Sequence, residues 1–394
     1  ITRPPPRTTL NATRRQRQMC IRDRHDDVLQ TMLPLMQTMV GNPSSLHRFG
    51  RLQKDAIERA REQVAALVDA HPDQVIFTSS GTEANNLLIK GIAAAPQVNR
   101  MAVSSVEHMS MLQPAAELGD ACAVDLIEVD DQGRVTPHLL EQAIRPDTRL
   151  VSVMSANNET GVIQDIRALA EIARRHDAWF HTDASQAAGK IDVSFKDWDV
   201  QAMTVSSHKI YGPLGAGALI VDKRLPLRAQ LHGGSQEQRL RAGTENVPAI
   251  AGFGAAAELA RKELSTRGAH TLELRKALEQ GLSRMASVTV FALNAERLPN
   301  TVQFGLKGFD GETLLMQLDR MGIAVSSGSA CTSGKTEPSH VLKAMKVPDE
   351  LALSSVRISF GKDNTIADVE KLLQALSEIS ERMKQSAVMM AANV

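Results

Sequence analysis

The polar and apolar positions of the chain follow two alternating rhythms from about Asp27 onward. Short runs rich in β-branched and other apolar residues alternate with stretches in which apolar residues recur at helical spacing. This alternation is typical of an α/β fold in which a mostly parallel sheet is covered by helices. The near-continuous apolar character of the runs predicts strands that are buried on both faces. The predicted strands are 75–78, 101–104, 124–129, 150–154, 179–182, 202–205 and 218–221.

Helical patterns connect these strands, and a second region with a different rhythm follows them. The connecting helices are predicted at 55–68, 83–92, 137–144 and 166–175. A long helical pattern over 249–284 leads to predicted strands at 288–291, 301–304, 323–326 and 356–359, with helices at 312–321 and 367–383. The sequence therefore predicts a large domain over 25–250 with a seven-stranded sheet, and a smaller α+β domain over 251–394.

Residues 1–24 differ from the rest of the chain in composition. They contain seven arginines, the single acid Asp23 and a run of three prolines. Such a segment suits no packed core, and we interpret it as a disordered or foreign leader. A transit peptide is the alternative, because such peptides are rich in arginine and poor in acids, although this segment contains no serine.

Composition narrows the classes of function. Lys+Arg and Asp+Glu both total 45, so the balance of charge indicates neither a nucleic acid nor a membrane as partner and favours a small substrate. The cysteines Cys20, Cys122 and Cys331 are far apart, without the paired spacing of a zinc site or a disulfide framework. We therefore expect a reducing, cytoplasmic location and no resident metal. The chain has no apolar run of the ~20 residues that a membrane span requires.

Two polar motifs follow predicted strands. The run from Thr78 to Asn86 opens a helix with capping hydroxyls and a glycine, and its free N–H groups would favour a phosphate. An ordinary capping box is the alternative interpretation. Asp183 ends another strand, where it could keep a pyridine nitrogen protonated, or could simply be a helix N-cap.

A third motif, Ser206-Ser207-His208-Lys209-Ile210-Tyr211-Gly212-Pro213, also follows a strand. It places the amine of Lys209 after an apolar run and before a Gly-Pro stop, where partial burial would make it a nucleophile. A lone lysine is more often a solvated surface group, so the neighbouring motifs carry the argument.

In this order the motifs resemble the fold-type-I pyridoxal-phosphate enzymes of the class-V aminotransferase family, and specifically the cysteine desulfurases. The resemblance extends from Gly41 to about Lys362. It includes Gly41-Asn42-Pro43-Ser44-Ser45-Leu46-His47, Val106-Glu107-His108, Asn157-Asn158-Glu159-Thr160-Gly161-Val162 and Arg241-Ala242-Gly243-Thr244-Glu245-Asn246. A last run, Ser326-Ser327-Gly328-Ser329-Ala330-Cys331-Thr332-Ser333-Gly334, is similar to that of the NifS/IscS-like group.

The resemblance implies a role for each matching residue around pyridoxal 5'-phosphate bound on Lys209. The phosphate would be held by Gly81, Thr82, Ser206 and His208, together with Thr244 from the partner subunit of a homodimer. The ring would be stacked by His108 and hydrogen-bonded by Asp183 and Gln186. The substrate carboxylate would be bound by Asn158 and Arg357. Taken without the resemblance, His108 could be a packed core histidine, Asn158 and Gln186 turn amides, and Arg357 a residue that faces solvent.

Cys331 is the predicted sulfur acceptor. It lies in a Ser/Gly-rich run that favours no regular structure, as a sulfur carrier needs, whereas a buried inert thiol is the alternative. The hypothesis is that Lys209 moves the α-proton of L-cysteine, Cys331 takes the sulfur as a persulfide, and L-alanine leaves. Cys331 could also be a transient iron–sulfur ligand, and Cys122 is predicted to be a core thiol.

Two other functions would use much of the same sequence. A selenocysteine lyase or another β-eliminating enzyme with this cofactor needs most of the same groups. A weakly catalytic scaffold or carrier in a sulfur-transfer complex would use the Cys331 run as a docking surface. For the desulfurase, the expected partner is an iron–sulfur scaffold or another sulfur-acceptor protein.

Overall fold

The computed structural model describes residues 25–37, 41–327 and 337–392. The predicted leader, Cys20 and Cys331 lie outside these residues. Among the helices that are described, none combines the length and the apolar character that crossing a membrane would require. By backbone contacts the chain forms two compact units, Arg22–Asn158 with Val162–Ser265, and Glu159–Gly161 with Thr266–Val394.

The first unit contains a seven-stranded sheet. Its strands are β1 (Val75–Thr78), β2 (Arg100–Ser104), β3 (Ala123–Ile127), β4 (Thr148–Ser152), β5 (Trp179–Asp183), β6 (Ala202–Ser206) and β7 (Gly217–Val221). They lie in the order β1-β7-β6-β5-β4-β2-β3, and only the pairings of β7 with β1 and β6 are antiparallel. The predicted α/β class with a mostly parallel seven-stranded sheet is therefore confirmed.

Helices connect and cover the strands of this sheet. They are α1 (Asp26–Gln37), α2 (Arg48–Leu67), α3 (Gly81–Ala93), α4 (Met109–Ala116), α5 (Pro137–Ala143), α6 (Ile166–Arg175) and α7 (Val247–Lys262). Side chains cap most of their N-termini, as Ser80 does for α3 and Asp165 for α6. The apolar stripe of α6 buries Ile166, Leu169 and Ala173, whereas its last turn carries two arginines that complement the helix dipole.

The second unit is an α+β layer around a four-stranded antiparallel sheet. Its elements are α8 (Leu264–Leu282), β8 (Val288–Val290), β9 (Thr301–Leu306), α9 (Gly311–Arg320), β10 (Ser326–Ser327), α10 (His340–Ala344), α11 (Asp349–Leu353), β11 (Ser355–Ser359) and α12 (Ile366–Ala392). The strand order is β10-β11-β9-β8. Fully buried side chains such as Leu278, Phe304 and Leu376 form its core, so the sheet and the helices bury a common apolar layer.

Three details differ from the sequence predictions. The helical pattern over 249–284 is divided into α7 and α8, because the backbone at Glu263 leaves helical geometry with φ −103° and ψ 8°. The predicted domain boundary at residue 250 falls inside α7, which extends to Lys262. Strand β3 is not buried on both faces, because it lies at the edge of the sheet and leaves Leu126 59% exposed.

Candidate active site

A pocket of about 190 Å³ opens at the carboxyl ends of the parallel strands of the first unit. This edge is where open α/β sheets bind ligands. Serines, histidines, an acid, two amides and a lysine dominate its lining, so its chemistry is polar and ionisable rather than apolar. The lining residues are Ser80, Gly81, Thr82, His108, Ser110, Met154, Ala156, Asn158, Asp183, Ser185, Gln186, Ser206, His208 and Lys209.

One wall of the pocket is the turn from β1 into α3. The Ser80 hydroxyl accepts a hydrogen bond from the N–H of Glu83 at 3.1 Å. Gly81 and Thr82 line the pocket in the first helical turn, where N–H groups have no acceptor within the helix. The turn lies directly against Gly217 of β7, where a Cβ atom would stand only 2.6 Å from the carbonyl carbon of Ser80. The structure therefore provides backbone donors and a positive helix end that suit a phosphate.

The lysine wall follows β6. Residues Ser207–Ile210 form a short 3₁₀ helix that ends at Tyr211, whose φ of 67° is left-handed. This turn holds Lys209 half-buried at the pocket, where the lysine lies beside His208. The Ser206 hydroxyl lies 3.0 Å from Nδ1 of His208, which orients both side chains at the end of the strand. The lysine is thus a partly desolvated amine on a rigid support, as a nucleophile requires.

Asp183 forms the acidic wall at the end of β5. Only 7% of the residue is exposed. Its Oδ2 accepts a hydrogen bond from Nδ2 of Asn85 at 2.9 Å, and its Oδ1 accepts one from the N–H of Ser185 at 2.9 Å. Both carboxylate oxygens are therefore held in place, and the acid can present a fixed negative charge to a cationic ring nitrogen.

Two further titratable groups are buried behind this wall. Burial raises the pKa of the Glu107 carboxyl well above its ordinary value, the charge of Asp183 raises it further, and the N–H of Met154 acts in the opposite direction. Burial also lowers the pKa of His181 to about 4, although the charge of Asp183 favours the protonated form. Asp183 is consequently bordered by an acid whose charged form is disfavoured by burial and by a neutral imidazole.

Arg357 lies on β11 in the second unit. Its neighbour across the sheet is Gln303 of β9. The buried Glu159 carboxylate accepts hydrogen bonds from Ser339 at 2.5 Å and from Gln303 at 3.3 Å. Burial raises the pKa of Glu159, while Ser339, His340, Arg357 and Gln303 act to lower it. Arg357 therefore belongs to a buried polar cluster rather than to a solvent-facing strand.

Nine of the twelve site residues predicted from the sequence line this pocket. They are Gly81, Thr82, His108, Asn158, Asp183, Gln186, Ser206, His208 and Lys209. Thr244 lies in an exposed segment before α7, and Arg357 lies in the second unit. Cys331 lies outside the described residues, whereas Cys122 is a buried thiol, as predicted, and burial raises its pKa.

Sequence reasoning missed three residues that support the side chains of the pocket. Asn85 and Glu107 lie within the motifs of the sequence and Ser110 lies beside one, but the local pattern predicts no role for them. The available signal was the polar character of Asn85 on the apolar face of α3 and of Glu107 in an apolar turn. Which groups they contact depends on packing between helix and strand, which no local pattern contains.

Comparison with known proteins places this geometry in a family. The aminotransferase class-V family profile matches residues 23–372. A protein named cysteine desulfurase IscS from Dictyoglomus turgidum is 42% identical over 362 residues, covering 91% of this chain and 92% of the relative. A protein of the same name from Methanosarcina thermophila is 41% identical over 361 residues, covering 91% of this chain and 89% of the relative.

Solved structures give the same result. A structure described as a NifS-like protein has a TM-score of 0.86 and 34% identity, covering 91% of this chain and 96% of its own. A NifS-like protein from Rickettsia africae has a TM-score of 0.83 and 35% identity, covering 92% of this chain and 99% of its own.

Proteins of this kind use pyridoxal 5'-phosphate, and the donor set of the pocket fits that group. The turn at Gly81 offers backbone donors for a phosphate, Lys209 an amine for the aldehyde, and Asp183 a fixed acid for a pyridine nitrogen. The match of fold, sequence and pocket chemistry leads to one conclusion: the chain belongs to the class-V aminotransferase family.

Proposed function

We propose that this chain is a cysteine desulfurase, which converts L-cysteine into L-alanine and transfers the sulfur to its own Cys331. The observation that carries the proposal is the pocket in which a half-buried lysine, a doubly hydrogen-bonded aspartate and a histidine meet beside the N-terminus of α3. The names of the relatives agree with this chemistry.

Four residues would hold the phosphate of the cofactor. Gly81 and Thr82 offer N–H groups from the first turn of α3, and Ser206 and His208 offer side chains from the end of β6. Thr244 would add a contact from the partner subunit of a homodimer, a role supported by its exposure on a surface segment. These groups would hold the anion in the pocket that Lys209 also lines.

Three residues would set the position and charge of the ring. His108 would stack on one face, Gln186 would hydrogen-bond the phenolic oxygen, and Asp183 would keep the ring nitrogen protonated. The bound cofactor supplies an electron sink that acidifies the α-carbon of the amino acid. The two donors on Asp183, from Asn85 and Ser185, keep its charge in one place during the reaction.

The substrate would be oriented by its carboxylate. Asn158 offers an amide from the pocket, and Arg357 offers a guanidinium fork that matches two oxygens. The Glu159–Gln303 pair of the second unit supports Arg357 from its own sheet. Once the amino acid is oriented, the Nζ atom of Lys209 accepts the proton from the α-carbon and returns it at a later step.

Cys331 would receive the sulfur. Its thiolate attacks the sulfur of the substrate, a sulfur–sulfur bond forms, and the bond from sulfur to the β-carbon of the substrate breaks. The electron pair of the broken bond remains with the carbon skeleton, which is protonated and leaves as L-alanine. The reaction balances, because L-cysteine and one thiol give L-alanine and one persulfide.

The test compares two cysteine variants. With L-cysteine and dithiothreitol, the purified protein should form alanine and sulfide in equal amounts. Cys331→Ala should keep the visible absorption of the bound cofactor and lose nearly all sulfide release. Cys122→Ala, a buried cysteine outside the pocket, is the matched control and should retain turnover. Undiminished sulfide release by Cys331→Ala would remove this residue from the reaction, and absence of alanine from the unchanged protein would reject the function.

The biological setting is proposed on the same chemistry. The Cys331 thiol must be reduced to accept sulfur, and a reducing compartment keeps thiols in this form, which favours the cytoplasm. The acceptor would be an iron–sulfur scaffold or another sulfur-acceptor protein, to which Cys331 passes the sulfur. Sedimentation equilibrium of the purified protein tests the homodimer, and mixed samples of Lys209→Ala and Thr244→Ala protomers would test whether Thr244 acts across subunits.

A further inference from the structure

A chain of hydrogen bonds connects His108 with Asp183 along the wall of the pocket. Nδ1 of His108 lies 2.9 Å from the hydroxyl of Ser110. That hydroxyl lies 2.9 Å from Nδ2 of Asn85, and the same nitrogen lies 2.9 Å from Oδ2 of Asp183. Two walls of the pocket that are far apart in the sequence are therefore joined by two side chains, Ser110 and Asn85.

The backbone at the start of α4 determines which nitrogen of His108 carries hydrogen. His108 is the N-cap of this helix, and its Nδ1 accepts a hydrogen bond from the N–H of Ser110 at 3.1 Å. A backbone N–H can only donate, so Nδ1 must have a free electron pair. The neutral ring then has its proton on Nε2. It follows that the Ser110 hydroxyl also donates to Nδ1, because Nδ1 has no proton to give.

Asn85 determines the direction of the remaining hydrogen bonds. It is fully buried on α3, and its amide nitrogen has two hydrogens, one for the Ser110 hydroxyl and one for Asp183. If the amide were rotated by half a turn, its oxygen would face the carboxylate oxygen at 2.9 Å. The charge of Asp183 therefore fixes the orientation of the Asn85 amide. The Asn85 amide donates to a lone pair of the Ser110 hydroxyl, so the proton of that hydroxyl points to Nδ1 of His108.

We propose that Asn85 and Ser110 are positioning residues that hold His108 in the Nε2–H tautomer and fix its ring relative to Asp183. The inference deepens the proposed desulfurase function and rests on it for its catalytic meaning. In the resting site His108 offers a hydrogen-bond donor at Nε2 and is not the base, so removal of the α-proton is left to Lys209. The same arrangement prevents the ring from rotating when substrate enters.

A spectroscopic test does not depend on turnover. The full-length protein is labelled with ¹⁵N-histidine, and the His108 signals are identified by their loss in His108→Gln. The nitrogen chemical shifts should report an unprotonated Nδ1 and a protonated Nε2, both with the cofactor bound and after its removal. A protonated Nδ1, or a mixture of tautomers, at neutral pH would overturn the inference.

Variants test the positioning role by kinetics. Ser110→Ala removes the hydroxyl, and the loss of one hydrogen bond should lower kcat by about two- to tenfold with little change in KM. Ser110→Thr retains the hydroxyl and should restore kcat. Ser105→Ala is the matched control, because the Ser105 hydroxyl has no hydrogen-bond partner among the described residues. Equal kcat in Ser110→Ala and the unchanged protein would contradict the role.

The outcomes separate this inference from the proposed function. If the unchanged protein forms no alanine from cysteine, the desulfurase assignment fails, while the ¹⁵N spectra still decide the tautomer. If the protein is active and Ser110→Ala equals Ser105→Ala, the function stands and the positioning role fails. Asn85→Ala tests the buried link directly, and Ser110→Ala provides a milder change should the Asn85 variant not fold.

Discussion

The buried ion pair between Arg61 and Glu237 offers a sharp test of how the first unit is stabilised. The Glu237 side chain is 2% exposed and accepts hydrogen bonds from Nη1 and Nη2 of Arg61 at 2.9 and 2.8 Å. It also accepts the N–H of Phe77 in β1 at 2.7 Å. Arg61 has a second acidic neighbour, Glu58, at 3.2 Å, whose side chain is 51% exposed. One arginine therefore has a buried and an exposed partner.

The expected magnitudes follow from this difference in burial. Glu237→Gln keeps an oxygen for Phe77 but leaves the buried guanidinium without its closest charge, a change that costs about 3 kcal/mol or more of unfolding free energy. Glu58→Gln removes the same charge at the surface and should cost about 0–1 kcal/mol. Glu237, Gln238 and Arg239 have φ values of 44°, 58° and 67°. Such strained residues persist only while their surroundings hold them, so the loss of the anchor adds to the effect.

Urea denaturation followed by circular dichroism compares the two variants under identical conditions. Glu237→Gln should shift the midpoint strongly and Glu58→Gln slightly, with the slope unchanged where only stability is altered. The double variant Arg61→Met/Glu237→Gln should recover part of the loss, because it leaves no buried charge unpaired. Equal shifts for Glu237→Gln and Glu58→Gln would refute the reasoning that burial decides the contribution of this ion pair.

Two further predictions concern the sheet that supports the pocket. Gly217→Ala places a methyl group 2.6 Å from the backbone of Ser80, so the turn must move; we expect a loss of about 1–3 kcal/mol and weaker cofactor binding, measured by urea denaturation and by equilibrium dialysis. A normal affinity would show that the turn is not needed in this position. His181, with a pKa lowered to about 4 by burial, contributes stability that is fully present above about pH 6.5 and is lost as pH falls toward 4. Denaturation across this range should show a loss of up to about 3 kcal/mol that His181→Asn reduces, and identical pH profiles would contradict it.

The central strands of the sheet could be predicted because the signal for them lies in the strand's own residues. Strands such as β6 and β7 are buried on both faces, so each is a mostly apolar run that needs no other information to be recognised. Strand β3 is different, because it lies at an edge, and the exposure of Leu126 could be known only from the strand order. The break between α7 and α8 was also missed, because the residues on both sides of Glu263 favour a helix.

The candidate site was predictable to the extent that it follows from strand ends. Asp183 comes directly after one predicted strand and Lys209 lies in the turn after the next, and parallel neighbours bring their carboxyl ends to the same edge. The hydrogen bonds that hold these two side chains in place were not predictable in this way. Asn85 contacts Asp183 because of the rotation of α3 about its own axis where the helix packs on the sheet. The sequence pattern of a helix predicts which face is buried, but it does not predict which atoms that face contacts.

The order of strands has a consequence for synthesis on the ribosome. Among the described strands β1 pairs with β7 alone, so its strand-to-strand hydrogen bonds cannot form before Gly217–Val221 has been made. Until then the turn at Gly81 lacks the contact with Gly217 of β7, and loop closure between such distant segments is slow. Nascent chains that end before β7 should therefore be unable to capture the cofactor, and would expose an unpaired strand that chaperones or neighbouring chains can bind.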